Sequence, residues 1–115
     1  MHIRKLKLLT DVLTAGDAIE RHLQNSDFST YLENELLRGF CERKLLIVGE
    51  ALARLRDLDS EAQSEINEIH LIVGLRNRVV HSYDSVDDRI IWDALVNHLP
   101  SLLDQVRNTL PKYEP

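Results

Sequence analysis

Apolar residues return at intervals of three and four along almost the whole chain, and this periodicity constrains the fold more than any other feature. Ile3, Leu6, Leu9, Val12, Leu13, Ile19 and Leu23 form one such series, with charged residues between them. A spacing near 3.6 places such a series on one face of an α-helix, so a helix is predicted from about Ile3 to Gln24. Asn25-Ser26-Asp27 is a polar break. Thr30 and Glu33 then have the spacing of a capping box, and Leu32, Leu36, Leu37, Phe40, Leu46, Ile47, Ala51, Leu55 and Leu58 would carry a second apolar stripe to about Leu58. Gly49 inside that stripe costs roughly 1 kcal/mol relative to alanine, and close packing against another helix is the expected compensation.

Ser60 with Gln63 offers another capping box, starting a third helix that runs to about His81 over Ile66, Ile69, Ile72, Val73, Val79 and Val80. Ser82-Tyr83-Asp84-Ser85 reads as a loop. Asp87 or Ser85 could cap a fourth helix holding Ile90, Ile91, Leu95 and Val96. Pro100 either opens a fifth helix or kinks the fourth, and Pro111 ends the series. Only four glycines and three prolines occur, too few for many short strands and tight turns. The expected fold is all-α, an up-down antiparallel bundle of four to five helices. It forms one domain over 1–111, with a frayed tail at 112–115.

The chain of 115 residues is 43% hydrophobic and 29% charged, a globular composition. Asp11, Asp17 and Glu20 interrupt any signal-peptide core after the basic start, and no segment has the length and apolarity to cross a bilayer. The expected location is cytoplasmic. Cys41, the single cysteine, lies in an apolar stretch and reads as a buried thiol. The net charge of −5 argues against a surface that attracts nucleic acid everywhere. RNA binding would need a local basic cleft or a basic partner.

The segment Gly74 to Tyr83 concentrates the chemistry. Arg76, Asn77, Arg78, His81 and Tyr83 fall within eight residues at a helix end. Arginine binds phosphate through paired donors, histidine exchanges a proton near neutral pH, and asparagine can position a phosphate or a hydroxyl. On a straight helix Arg76 and His81 point about 140° apart. Arg76 shares its face with Val80, and Asn77 shares its face with His81. A bend, or two helices crossing about a two-fold axis, would bring Arg76 and His81 together. The same residues also admit a structural reading: His81 as a favourable cation at a helix C-terminus, the arginines in surface ion pairs, Tyr83 as a packing residue. Glu50, in an apolar stretch, reads equally as a buried partner of an arginine or as a functional group. Trp92 reads as core or interface.

The run Arg76-Asn77-Arg78-Val79-Val80-His81-Ser82-Tyr83 resembles the Arg-x4-His-x-Tyr signature of HepT-like proteins of the HEPN superfamily. Ile47-Val48-Gly49-Glu50-Ala51 is similar to a stretch on the second helix of these proteins. Asp87 to Trp92 and Leu99-Pro100-Ser101-Leu102 resemble their C-terminal pattern, so the likeness covers nearly the whole chain. It implies a homodimer whose interface cleft holds Arg76 and His81 of both protomers, and a metal-independent ribonuclease toxin with no cofactor. Arg76 and His81 would be catalytic, with Asn77 and Arg78 supporting. It further implies RNA as substrate and a minimal nucleotidyltransferase antitoxin as partner, which silences the toxin by AMPylation of Tyr83. A non-catalytic member of the same fold, binding RNA or a nucleotide, is the alternative; the intact motif favours the enzyme and the acidity favours the binder.

Overall fold

The computed structural model describes residues 2–80 and 87–114; His81, Ser82, Tyr83 and the alternative cap Ser85 lie outside the described residues. Every regular element among the described residues is helical. Four long rods make the body: α1 (His2–Leu23), α3 (Glu35–Leu58), α5 (Ile69–Val80) and the continuous run from Asp88 to Thr109. Two short helices, α2 (Phe28–Glu33) and α4 (Ala62–Glu65), sit in the connections.

The rods pack as the periodicity predicts over most of their length, but Leu58 and Val80 at rod ends and Val96, all counted in the apolar stripes, are exposed. α1 buries Leu9, Val12, Ala15 and Ile19 against the stripe Cys41, Leu45, Val48, Leu52 and Leu55 of α3, each large side chain contributing on the order of 1.5–3 kcal/mol. The two helices are antiparallel. Lys5 near the start of α1 reaches Asp59 at the end of α3, and His22 at the other end of α1 stacks on Phe40 near the start of α3, with ring centroids 4.5 Å apart. α5 returns along the other side of α3, and α1 also packs against the C-terminal rod, α7 (Leu99–Thr109). The molecule is a flattened body of 44 × 29 × 19 Å, with α5 supported chiefly by α3. None of its described helices is long and apolar enough to cross a membrane.

Several expectations are corrected. The second helix is two helices, not one. Asp27, rather than Thr30, caps α2 by accepting from the Thr30 amide, and Asn34 ends it in extended backbone while its side chain caps α3 through the Leu37 amide. Asparagine suits this because its short amide competes with the helical ladder. The interruption breaks the apolar register, so Leu32 and Leu36 are left exposed. Ile3 is exposed as well, since Lys5 already meets the end of α3 and the first turn of α1 overhangs it.

The third helix is likewise divided. The Asp59 carboxylate, not Ser60, accepts from the Glu61 amide, and Ile66 leaves helical geometry between α4 and α5 while burying its side chain completely. Asp87 caps α6 (Asp88–Asp93) through the Arg89 amide. Pro100 lacks an amide proton and its ring would crowd the carbonyl of Val96. The helix absorbs this in one wide π-turn, Ala94–His98, where the Leu99 amide bonds back to the Ala94 carbonyl, and then continues as α7. Finally, residues 112–114 are not a frayed tail. Leu110–Tyr113 form a 3-10 turn that buries Tyr113 and lets its hydroxyl donate to Asp59 at 3.1 Å.

Candidate nucleic-acid interface

Gly49 positions the most informative residue of the motif. A Cβ at this position would lie 2.5 Å from Cβ and 2.8 Å from Cγ of Arg76. The missing side chain therefore lets α5 lie directly on α3 at the level of Arg76, the close packing that a glycine inside a long helix implied. Arg76 is held with its stem against α3 and its head turned toward Glu50, Nη1 to Oε2 3.5 Å. Glu50 also accepts from Arg54 Nε at 3.1 Å, one turn along the same helix. The pairing expected of Glu50 is present, but the residue is exposed rather than buried. The side chain of Arg76 is only 24% exposed, and its buried Nε has no hydrogen-bond partner among the described residues. A buried charged donor left unmet is costly; Tyr31 Oη and Gln105 Oε1 are unmet as well among the described residues, and Arg76 differs from them in being a cation that lines a cleft.

Around Arg76 lies a cleft of about 380 Å³ formed by three helices. α1 contributes Leu8 and Asp11; α3 contributes Arg43, Leu46, Ile47, Glu50, Ala51 and Arg54; α5 contributes Arg76 and Val80. Arg76 and Val80 share a face, as their spacing predicts. Three arginines stand against two carboxylates here, and Asp11 is already paired with Lys7 at 3.1 Å. In a chain of net charge −5 this is the local positive cleft that phosphate binding requires.

Arg43 and Arg54 were not singled out from the sequence. The signal was available: positions 43, 47, 50 and 54 recur at helical spacing and mark one face of α3. It was obscured because the Leu46 and Ile47 between them read simply as core.

α5 separates the rest of the motif. Arg78, two positions beyond Arg76 and so about 200° around the helix, lines a different groove of about 300 Å³ on the opposite side. There it meets His70, Leu75, Ile90, Asp93 and His98. His98 is held between two carboxylates, Nδ1 to Glu68 at 3.0 Å and Nε2 to Asp93 at 3.5 Å. Asn77 is exposed and lines neither groove. The structure thus does not bring Arg76, Asn77 and Arg78 to one point, and His81 and Tyr83 lie outside the described residues.

The remaining side chains follow their structural readings. Cys41 is fully buried, and burial pushes its thiol up to about 11, which keeps it protonated and unreactive. Trp92 packs on Tyr31 and Phe28, with ring centroids 5.2 and 6.1 Å apart.

Comparison with known proteins places this geometry in context. The family model described as "Ribonuclease HepT-like" matches residues 12–109, a span that includes Arg43, Arg54 and Arg76 of the cleft. A protein of Caldanaerobacter subterraneus subsp. tengcongensis named "Putative RNase" is 28% identical over 104 residues, covering 90% of this chain and 92% of that one. A second "Putative RNase", from Methanocaldococcus jannaschii, is 24% identical over 100 residues, 85% of this chain and 89% of its own. The "Probable ribonuclease HepT" of Thermococcus cleftensis is 27% identical over 94 residues, 82% and 84% of the two chains. No solved structure matches significantly.

Proposed function

This chain belongs to the HepT-like ribonuclease family, and from that premise we propose that it is the ribonuclease toxin of a toxin–antitoxin pair, cutting RNA without a metal ion. The observation that carries the reading is the placement of Arg76: set against α3 by Gly49, in a cleft with an excess of arginine, with a buried Nε that meets no acceptor among the described residues.

In the proposed reaction the ribose 2′-hydroxyl attacks the adjacent phosphorus while the bond to the 5′-oxygen breaks. The products are a 2′,3′-cyclic phosphate and a 5′-hydroxyl end. Arg76 stabilises the negative charge that grows on the non-bridging oxygens, an effect worth most in a partly enclosed site. His81 takes the 2′-hydroxyl proton or supplies one to the leaving oxygen. One imidazole does not easily do both in the same step, so a homodimer with its cleft at the interface would use the two His81 side chains in the two roles. Asn77 and Arg78 support the motif. Arg78 faces another groove, so any role it has is exerted on the helix end or on a partner rather than on the phosphate at Arg76.

Silencing by the minimal nucleotidyltransferase antitoxin would proceed by attack of the Tyr83 hydroxyl on the α-phosphorus of ATP. Pyrophosphate leaves and AMP stays on the ring. The added anion, close in sequence to Arg76, would compete with the RNA backbone for the same positive charge.

The test is incubation of the purified protein, without its partner, with total RNA in EDTA, beside Arg76→Ala and His81→Ala. Cleavage that disappears in both variants, with unchanged thermal melts and 2′,3′-cyclic ends on the products, is the expected result. Cleavage that persists in both variants overturns the assignment of the site. A wild-type protein that neither cuts nor carries an adduct by intact mass would leave the non-catalytic binding module as the better reading.

A further inference from the structure

The motif does not include the two other arginines of the cleft, and their placement has a direction. Arg43 and Arg54 lie eleven positions apart on one face of α3, about 16 Å along the helix axis at 1.5 Å per residue. The stem of Arg76 packs at Gly49, and its head turns onto that face at Glu50, which lies between positions 43 and 54. The three arginines therefore line one cleft along α3, with Arg54 and Arg76 meeting at Glu50 and Arg43 about two turns toward the start of the helix. The cleft is longer than one phosphate: a stacked strand advances about 3.4 Å per phosphate along its axis, so the arginines reach groups on both sides of the one held at Arg76.

Arg43 is exposed and enters no ion pair among the described residues. Arg54 shares Glu50 with Arg76 and is itself largely exposed. Apart from Glu50 and Asp11, the rest of the cleft wall is aliphatic, made of Leu8, Leu46, Ile47, Ala51 and Val80. No aromatic side chain is among these described residues, so the described part of the cleft offers charge for a backbone rather than a ring on which a base could stack. A cleft of about 380 Å³ holds a short part of one strand and not a duplex.

We propose that the cleft is a single-strand RNA track running along α3, in which Arg43 and Arg54 bind the phosphates on either side of the one held at Arg76 and so position the strand without reading its bases. This rests on the ribonuclease reading above. It adds two positioning residues outside the signature, and it implies that this part of the site is tolerant of sequence, since phosphate contacts fix register and carry no base information.

The experiment uses the full chain and a short fluorescent 2′-O-methyl oligoribonucleotide, which lacks the attacking hydroxyl and is not cut. Its affinity is measured as a function of salt for the wild type, Arg43→Ala, Arg43→Lys, Arg54→Ala and Arg89→Ala. Arg89 lies over the Phe28 ring, outside the cleft, and controls for the loss of one positive charge. Each single-strand phosphate contact contributes about 0.7 to the slope of log K against log salt. Arg43→Ala should lower the slope by about that amount and weaken binding roughly 5-fold near 0.1 M salt, with Arg43→Lys restoring most of it and Arg89→Ala changing little. With cleavable RNA, KM should rise in Arg43→Ala while kcat holds. If the wild type binds and cuts RNA but Arg43→Ala and Arg54→Ala keep the wild-type slope and KM, the track is wrong and the ribonuclease reading stands. If the wild type neither binds the oligonucleotide nor cuts RNA, both fail together.

Discussion

Two polar clusters lie on opposite parts of the same pair of helices, and they differ in how completely their charges are met. At the end of α3, Asp59 accepts from the Glu61 amide, the Tyr113 hydroxyl and Lys5, at 3.1, 3.1 and 3.4 Å. Lys112 is bonded to Glu65 close by, and the ammonium of Lys5 also lies over the Tyr113 ring. The groups there are few and satisfied, and the cluster ties three parts of the chain together. In the middle of α3, three arginines share a cleft with Glu50 and Asp11, and the deepest guanidinium keeps a buried donor unmet. The first arrangement is what stability alone selects. The second leaves free energy of interaction unrealised in the folded chain, which a bound anion can recover. Since Tyr31 Oη and Gln105 Oε1 are unmet too, the argument for a site at Arg76 rests on the unmet donor together with the excess of arginine around it.

The largest test of that contrast removes the unmet donor. Arg76→Ala should lower kcat for RNA cleavage by about 10²–10³-fold, the usual effect of deleting one donor to a developing oxyanion, while thermal stability changes little. Arg76→Lys should recover only part of the loss, because a point charge does not reproduce the paired donors of a guanidinium. A variant that loses several degrees of melting temperature along with activity would show that Arg76 is a structural residue after all, and the two clusters would then differ only in degree.

A smaller effect is expected at Gly49. Its substitution by alanine places a Cβ 2.5 Å from the Cβ of Arg76, an atom that cannot swing aside, so α5 has to move from α3. The cost should be about 1–3 kcal/mol, read as a melting temperature lower by roughly 4 °C per kcal/mol, together with weaker RNA binding because Arg76 moves with its helix. Gly16→Ala is the comparison. There the new Cβ meets the end of the Leu103 side chain, which can turn more readily than a Cβ, so stability should fall less and RNA binding should not change.

How much of this was legible in the sequence depends on range. The periodicity gives the all-α fold and the rod α1 to within a residue or two at each end. It also assigns Gly49 a packing role and puts Arg76 on one face with Val80. It fails where a single polar side chain outcompetes the ladder: Asn34 splits one long stripe into two helices, and Leu32 and Leu36, counted as core, end outside it. It fails again at the C-terminus, where Lys112 to Glu114 look like a tail because the partners that order them, Asp59 and Glu65, are 47 to 54 positions away. The site was visible only as a string of residue types. That Arg76 and Arg78 serve different grooves follows from helical geometry, but that Arg43 and Arg54 join Arg76 depends on which face of α3 receives α5, and a single helix does not specify its neighbour.

The smallest effect tests the satisfied cluster. Tyr113→Phe removes the hydroxyl donated to Asp59 and should cost about 1 kcal/mol at neutral pH, measured by urea unfolding. The pH dependence separates this contact from simple loss of packing. The Glu61 amide first, then the Tyr113 hydroxyl and Lys5, hold the Asp59 carboxyl below its ordinary value of 3.8. A carboxyl depressed in the folded state contributes stability above its unfolded pKa and loses it as pH falls through the folded value. Burial, and then the bond to Asp59, raise the pKa of the Tyr113 phenol, so it remains a donor throughout. The difference between wild type and Tyr113→Phe should therefore be full at pH 7 and shrink in acid, below about pH 4. Arg76→Ala, which breaks no comparable network, should show no such convergence of stabilities. A Tyr113→Phe deficit that stays constant down to pH 3 would mean that the ring, and not the hydrogen bond to Asp59, is what seats the C-terminus.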